Sequence, residues 1–116
     1  HVRSRRQRQM CIRDRFGGGP YKADYEYSRF ELHAVFAEAL VQSVGLPEGC
    51  SDFIQGPLEA GEAWLALEET ADFIESYGAK VDPTLFRQME DAQRRYLDET
   101  LQGAIETVRP YVTPAT

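Results

Sequence analysis

Few side chains in this chain have the type and spacing that chemistry requires. His33 is the one histidine outside the first residue, and histidine is the usual general base near neutral pH. No cysteine or second histidine lies close to it in the sequence, so it reads as a satisfied surface or boundary residue of a helix. Cys50 lies between Glu48 and Asp52; acidic neighbours disfavour a thiolate and with it nucleophilic work. Gly17-Gly18-Gly19 leads into no strand-to-helix step, so it reads as a linker and not a phosphate cradle. There is no nucleophile elbow and no paired-histidine zinc motif. No catalytic, cofactor-binding or metal-ligating residue is assigned, and the chain is expected not to be an enzyme.

The acidic residues are more informative. Glu62, Glu69 and Asp72 share one side of a predicted helix over 62–77, with Glu68 and Glu75 adjoining. Like charges three and four residues apart cost about 0.2–0.5 kcal/mol per pair in an isolated helix, yet this helix holds no lysine or arginine to relieve them. A solvated face is one reading. The other is a docking face for a cationic protein surface, where Glu59, Glu62, Glu69, Asp72 and Glu75 would steer the encounter and Tyr77 would anchor it.

The whole chain has 13 basic and 19 acidic residues, net −6. Residues 5–15, Arg5 to Arg15, resemble one translated frame of a tagmentation sequencing adapter over eleven consecutive positions. The resemblance implies that residues 1–15 are adventitious, from a metagenomic read, and it leaves the natural start of the chain open. Those fifteen residues hold six arginines and one aspartate, leaving seven basic against eighteen acidic residues, net −11. Such a field repels nucleic acid and anionic membranes and attracts basic partners. No run reaches the roughly 18 apolar residues of a membrane span, and a cytoplasmic location is the default expectation. With Cys11 set aside, Cys50 stands alone, so no disulfide framework is expected.

The elements follow from periodicity and caps. Residues 16–27 read as a Gly/Tyr-rich linker whose Tyr21, Tyr25 and Tyr27 could fold back. A helix is predicted over 28–44, opened by a Ser28/Glu31 capping box, with Leu32, Val35, Phe36, Ala39 and Leu40 on one face; Gly45 and Pro47 end it. A short element with Phe53, Ile54 and Leu58 follows, which Gly56-Pro57 should kink or break. The 62–77 helix carries Trp64, Leu67, Ala71 and Ile74 as its stripe and ends at Gly78. Asp82-Pro83 opens a last long helix with Leu85, Phe86, Met89, Ala92, Tyr96 and Leu97 and with Glu90–Arg94 and Asp91–Arg95 pairs, continuing through Gly103 towards Pro110. Residues 111–116 are a tail. The expectation is an all-α fold over 28–110: a small bundle of three to four helices with antiparallel neighbours.

The block Gly61-Glu62-Ala63-Trp64-Leu65-Ala66-Leu67-Glu68-Glu69-Thr70-Ala71-Asp72-Phe73-Ile74, followed by Asp82-Pro83-Thr84-Leu85-Phe86, resembles the MafI-type immunity proteins, small helical antidotes of bacterial polymorphic toxins. The resemblance covers about residues 51–97. It implies a protein that occludes a cognate toxin and does no chemistry of its own, with Gly61, Trp64, Ala66 and Leu67 as motif residues; a nuclease toxin would present the basic surface such an antidote needs. The residues by themselves read as structure: Gly61 a tight turn, Trp64 and Leu67 core, Ala66 a close helix approach. The competing reading is an acidic helical adaptor or homodimer, suggested by Phe86, Met89, Tyr96, Leu97 and Leu101 spreading over nearly two faces of the last helix.

Overall fold

In the computed structural model, residues 21–43 and 50–114 are described. They form five helices in a bundle: α1 (Arg29–Ser43), α2 (Cys50–Glu59), α3 (Ala63–Tyr77), α4 (Pro83–Tyr96) and α5 (Glu99–Val108), followed by a 3₁₀ turn, Arg109–Tyr111. The all-α expectation holds, with one helix more than expected among the described residues.

Helix α1 is the central element. Its start is the predicted capping box: the Glu31 amide donates to Ser28 Oγ at 3.2 Å and the Ser28 amide to Glu31 Oε1 at 3.0 Å. Instead of one apolar face it is covered on all sides, with six consecutive residues, Leu32 to Ala37, buried and Leu40 buried beyond them. A helix enclosed all round loses the amphipathic pattern of a surface helix. Ala39, assigned to the core face, is only half-buried.

Helix α3 packs on α1, α2 and α5. It buries Ala63, Ala66, Leu67, Thr70, Ala71 and Ile74, a stripe of mostly small side chains that lets neighbouring helices approach closely. Gly61, at φ +80°, makes the turn before it, and Gly78, at φ +62°, closes it with its amide on the Ile74 carbonyl. Both conformations suit glycine because no Cβ meets the backbone.

Pro57 does not break α2, which runs unbroken to Glu59. The carbonyl its missing amide leaves without a helical partner is that of Phe53, an exposed residue, where water can serve it. Ile54 and Leu58 are buried.

The predicted last helix is two. Helix α4 opens as expected at Asp82, whose carboxylate accepts from the Thr84 amide at 3.3 Å, with Pro83 first in the helix. It stops at Leu97, which adopts the left-handed conformation (φ 50°, ψ 52°). Asp98 then caps α5, accepting from the Leu101 amide at 2.8 Å. The ion pairs are redistributed accordingly. Arg94 pairs with Asp91, Glu90 reaches Arg109 at 3.7 Å, and Arg95 donates to the Ala23 and Tyr25 carbonyls.

The two flanking segments are also not what their composition suggests. Tyr21 and Tyr27 are core residues, stacked on each other at 5.3 Å, with Tyr21 on Phe36 at 5.1 Å. The Tyr27 amide donates to the Tyr96 hydroxyl at 2.9 Å, and that hydroxyl donates to the Tyr25 carbonyl at 3.2 Å. Residues 21–27 are therefore part of the fold and not a linker. Residues 111–113 likewise dock, through a parallel bridge between Val81 and Val112 with backbone bonds of 2.9 and 3.0 Å. Residues 1–20, the turn over 44–49 with its Gly45 cap, and 115–116 lie outside the described residues.

Candidate protein-docking face

Helix α3 turns its acidic side outward because its mostly small buried residues take the side packed into the bundle. Asp72 and Glu75 are exposed, as is Glu68, and Glu69 is half-buried. Glu62 stands at the N-cap position, one residue before the helix proper, and its side chain makes no capping bond. Glu59 is half-buried at the end of α2. From Cys50 to Ala79 the chain contains seven carboxylates, with Asp52 and Glu68 completing the set, and no lysine, arginine or histidine. The acidic residues assigned from the sequence therefore lie on two adjoining helices and, for Glu62, in the turn between them, some exposed and some half-buried.

Tyr77 is 57% exposed, as an anchor requires. It is not alone. Phe53 on α2, 66% exposed, contacts the Phe73 ring on α3 at 5.9 Å, and Phe73 contacts Tyr77 at 6.4 Å. The sequence places Phe53 among the apolar residues of the second element and Phe73 beside the stripe of the next helix, with no partner role for either. The signal was present: Phe73 and Tyr77 are four apart, outside the stripe through Ala66, Thr70 and Ile74, and Phe53 precedes the buried Ile54.

Three of the four motif residues take the positions expected of them and one does not. Ala66 and Leu67 are fully buried and Gly61 makes the turn, but Trp64 is 44% exposed and not a core residue. It neighbours Ala63 on the helix, and it is Ala63, Ala66 and Thr70 that are buried, leaving the indole at the edge of the stripe.

That indole borders a cleft of about 270 Å³, lined also by Arg29, Phe30, His33, Asp98 and Thr100. His33 is not a surface residue. It is buried, and its Nε2 lies 2.7 Å from Asp98 Oδ1, itself buried. The same carboxylate oxygen accepts from the Leu101 amide, while Oδ2 lies 3.5 Å from Arg29 Nε. Burial pushes the Asp98 carboxyl up, but the Leu101 amide, His33 and the Arg29 guanidinium together outweigh it, and the group is held below its ordinary value. Among the described residues no hydroxyl or thiol is hydrogen-bonded to this pair. Its geometry is that of a clip joining α1 to the start of α5. The sequence signal for it was Asp98 itself, an N-cap residue three before Leu101 that was read as the middle of a helix.

A shallower groove of about 200 Å³ runs between α3 and α5, bordered by Glu68, Asp72 and Glu99. Among the described residues no group of histidine, cysteine and carboxylate side chains is arranged to hold a metal ion, and no helix is long and apolar enough to cross a membrane.

No family model matches the chain, and no curated protein and no solved structure matches it either.

Proposed function

We propose that this protein is a binding module of the immunity type, which captures a basic protein partner through the acidic side of α2 and α3 and acts by occlusion. A bacterial toxin with a phosphate-binding surface, such as a nuclease, is the partner whose charge fits. The observation that carries the reading is the absence of any cationic side chain from Cys50 to Ala79 against seven carboxylates, four of them on the exposed or marginal side of α3. Such a concentration speeds encounter with a basic surface and suppresses acidic or nucleic-acid competitors. The buried histidine supports the same reading, since its Nε2 is engaged by Asp98, whose carboxylate also caps α5 and meets Arg29.

Co-expression with the toxin encoded immediately upstream tests this. Rescue of growth and a co-purifying complex are expected; the absence of both would reject the reading.

The alternative, a self-associating adaptor, drew on an apolar excess along the last helix. The split at Leu97 accounts for most of it: Phe86 and Met89 face inward from α4, Leu101 from α5, and Tyr96 packs half-buried on Tyr27. Leu97 alone stays outside, 77% exposed. Sedimentation separates the readings, a stable homodimer favouring the adaptor.

A further inference from the structure

We infer that the exposed ladder Phe53–Phe73–Tyr77 is the anchoring point of the docking face, and that its occupant is an amphipathic basic helix of the partner. This rests on the proposed function and names the chemistry of the partner's contact.

Three observations carry it. The ladder crosses from α2 to α3 without serving the core. Ile54 and Leu58 supply the buried side of α2, and Ile74 that of α3, while Phe53 and Tyr77 remain 66% and 57% exposed. Aromatic side chains at the centre of a protein contact supply large apolar area at low entropic cost. The spacing of the rings also suits one partner geometry. The ring-to-ring steps are 5.9 and 6.4 Å, close to the roughly 5–6 Å between apolar side chains three and four residues apart on one face of a helix. Finally, the helices that carry the ladder hold carboxylates and no cation, the nearest in sequence being Lys80, three residues past Tyr77. Asp52 adjoins Phe53, and Glu69 lies one turn from Phe73, with no cation between Cys50 and Ala79. Leucine-like side chains would stack on the rings while flanking lysines or arginines meet the carboxylates.

The other occupants fit less well. A second copy placed by a two-fold axis on this face would set carboxylates against carboxylates. An anionic membrane would be repelled by them.

The test uses the intact protein and two synthetic helical peptides. One carries leucine at i, i+4 and i+7 and lysine on the opposite face; in the other, serine replaces each leucine at unchanged charge. The leucine peptide is expected to bind, and to bind about tenfold or more weakly to Phe53→Ser and to Tyr77→Ser, whereas Leu97→Ser, exposed on the other side of the sequence, leaves binding unchanged. Both ladder positions are exposed, so circular dichroism should show the variants folded. Equal binding of the two peptides, or no loss in the ladder variants, overturns the ladder as anchor while leaving an acidic docking face. A parent chain that dimerises while the ladder variants are monomeric overturns it in favour of a second copy. Failure of both peptides to bind at low salt rejects the acidic docking face together with the ladder.

Discussion

His33 Nε2 and Asp98 Oδ1 stand 2.7 Å apart across 65 residues of sequence, both side chains almost wholly buried. The contact ties the central helix to the first turn of α5, because the same aspartate oxygen holds the Leu101 amide. One short side chain thus ends the left-handed break at Leu97 and fixes where α5 lies against α1.

Asp98→Ala is therefore expected to destabilise the fold by about 2–4 kcal/mol, combining the loss of an N-cap, typically ~1 kcal/mol, with a buried imidazole left without its acceptor, about 1–3 kcal/mol. Denaturant unfolding measures it. A loss of under ~0.5 kcal/mol would show that the clip is dispensable.

The Asp98 carboxyl lies below its ordinary value when folded. A depressed carboxylate contributes stability that is fully present above its unfolded value of about 3.9 and disappears as pH falls through the lower folded value. The stability gap between the parent chain and Asp98→Asn should be constant near neutrality and close below about pH 4. Unfolding curves across that range check it, and a gap that persists in acid contradicts the assignment.

At the alkaline end the sign reverses. Burial raises the phenol groups of Tyr21 and Tyr27 above their ordinary value of 10.0, with neighbouring tyrosines adding to the effect. The protonated forms stabilise the fold below pH 10, and that contribution is lost as pH rises through the higher folded values. Tyrosinate absorbance at 295 nm should develop late for two phenols, together with loss of the fold. A spectrophotometric titration in which every phenol ionises with the ordinary value would contradict it.

Leu97 occupies φ 50° while exposing 77% of its surface. A non-glycine residue there carries about 1–2 kcal/mol of steric cost, part of which glycine returns to a floppier unfolded chain. Leu97→Gly is expected to raise stability by about 0.5–1 kcal/mol, visible as a higher denaturant midpoint with an unchanged slope.

Asp72→Lys separates stability from binding. The new cation would sit four residues after Glu68, three after Glu69 and three before Glu75, relieving the repulsions and adding about 0.2–0.5 kcal/mol per pair. The variant should unfold at slightly higher denaturant and associate more slowly with a basic partner at low salt. Unchanged association would argue that the acidic side of α3 is merely solvated.

The parts of this fold that were legible in the sequence are those set by neighbours in the chain. The Ser28–Glu31 box, the Asp82-Pro83 start and the Gly78 stop each need only a few adjacent residues. Leu97 was not legible, because a left-handed stop at leucine has no glycine to mark it and the apolar pattern of α4 runs on into α5. Nor was the tyrosine segment, whose burial depends on Tyr96 and Phe36 being brought beneath it. Trp64 misled for a related reason: size suggested core, but the buried positions beside it are taken by the small Ala63 and Ala66. Of the docking face, the carboxylates and Tyr77 were visible as spacing on one helix. Phe53 was not, since only the packing of α2 on α3 places it in line with Phe73.

The Tyr96 hydroxyl bears on how the molecule comes off the ribosome. The segment holding Tyr21 to Tyr27 is made early, but the groups that receive it, Tyr96 and Arg95, are made some seventy residues later. Until they emerge, those three phenol rings and the flank of Phe36 have no cover, so the nascent chain carries a sticky aromatic patch for several seconds at ordinary translation speed, of the order of 5–20 residues per second. Closure waits for Tyr96, and a stalled chain cut short before it would present that patch to whatever chaperone or protease is near.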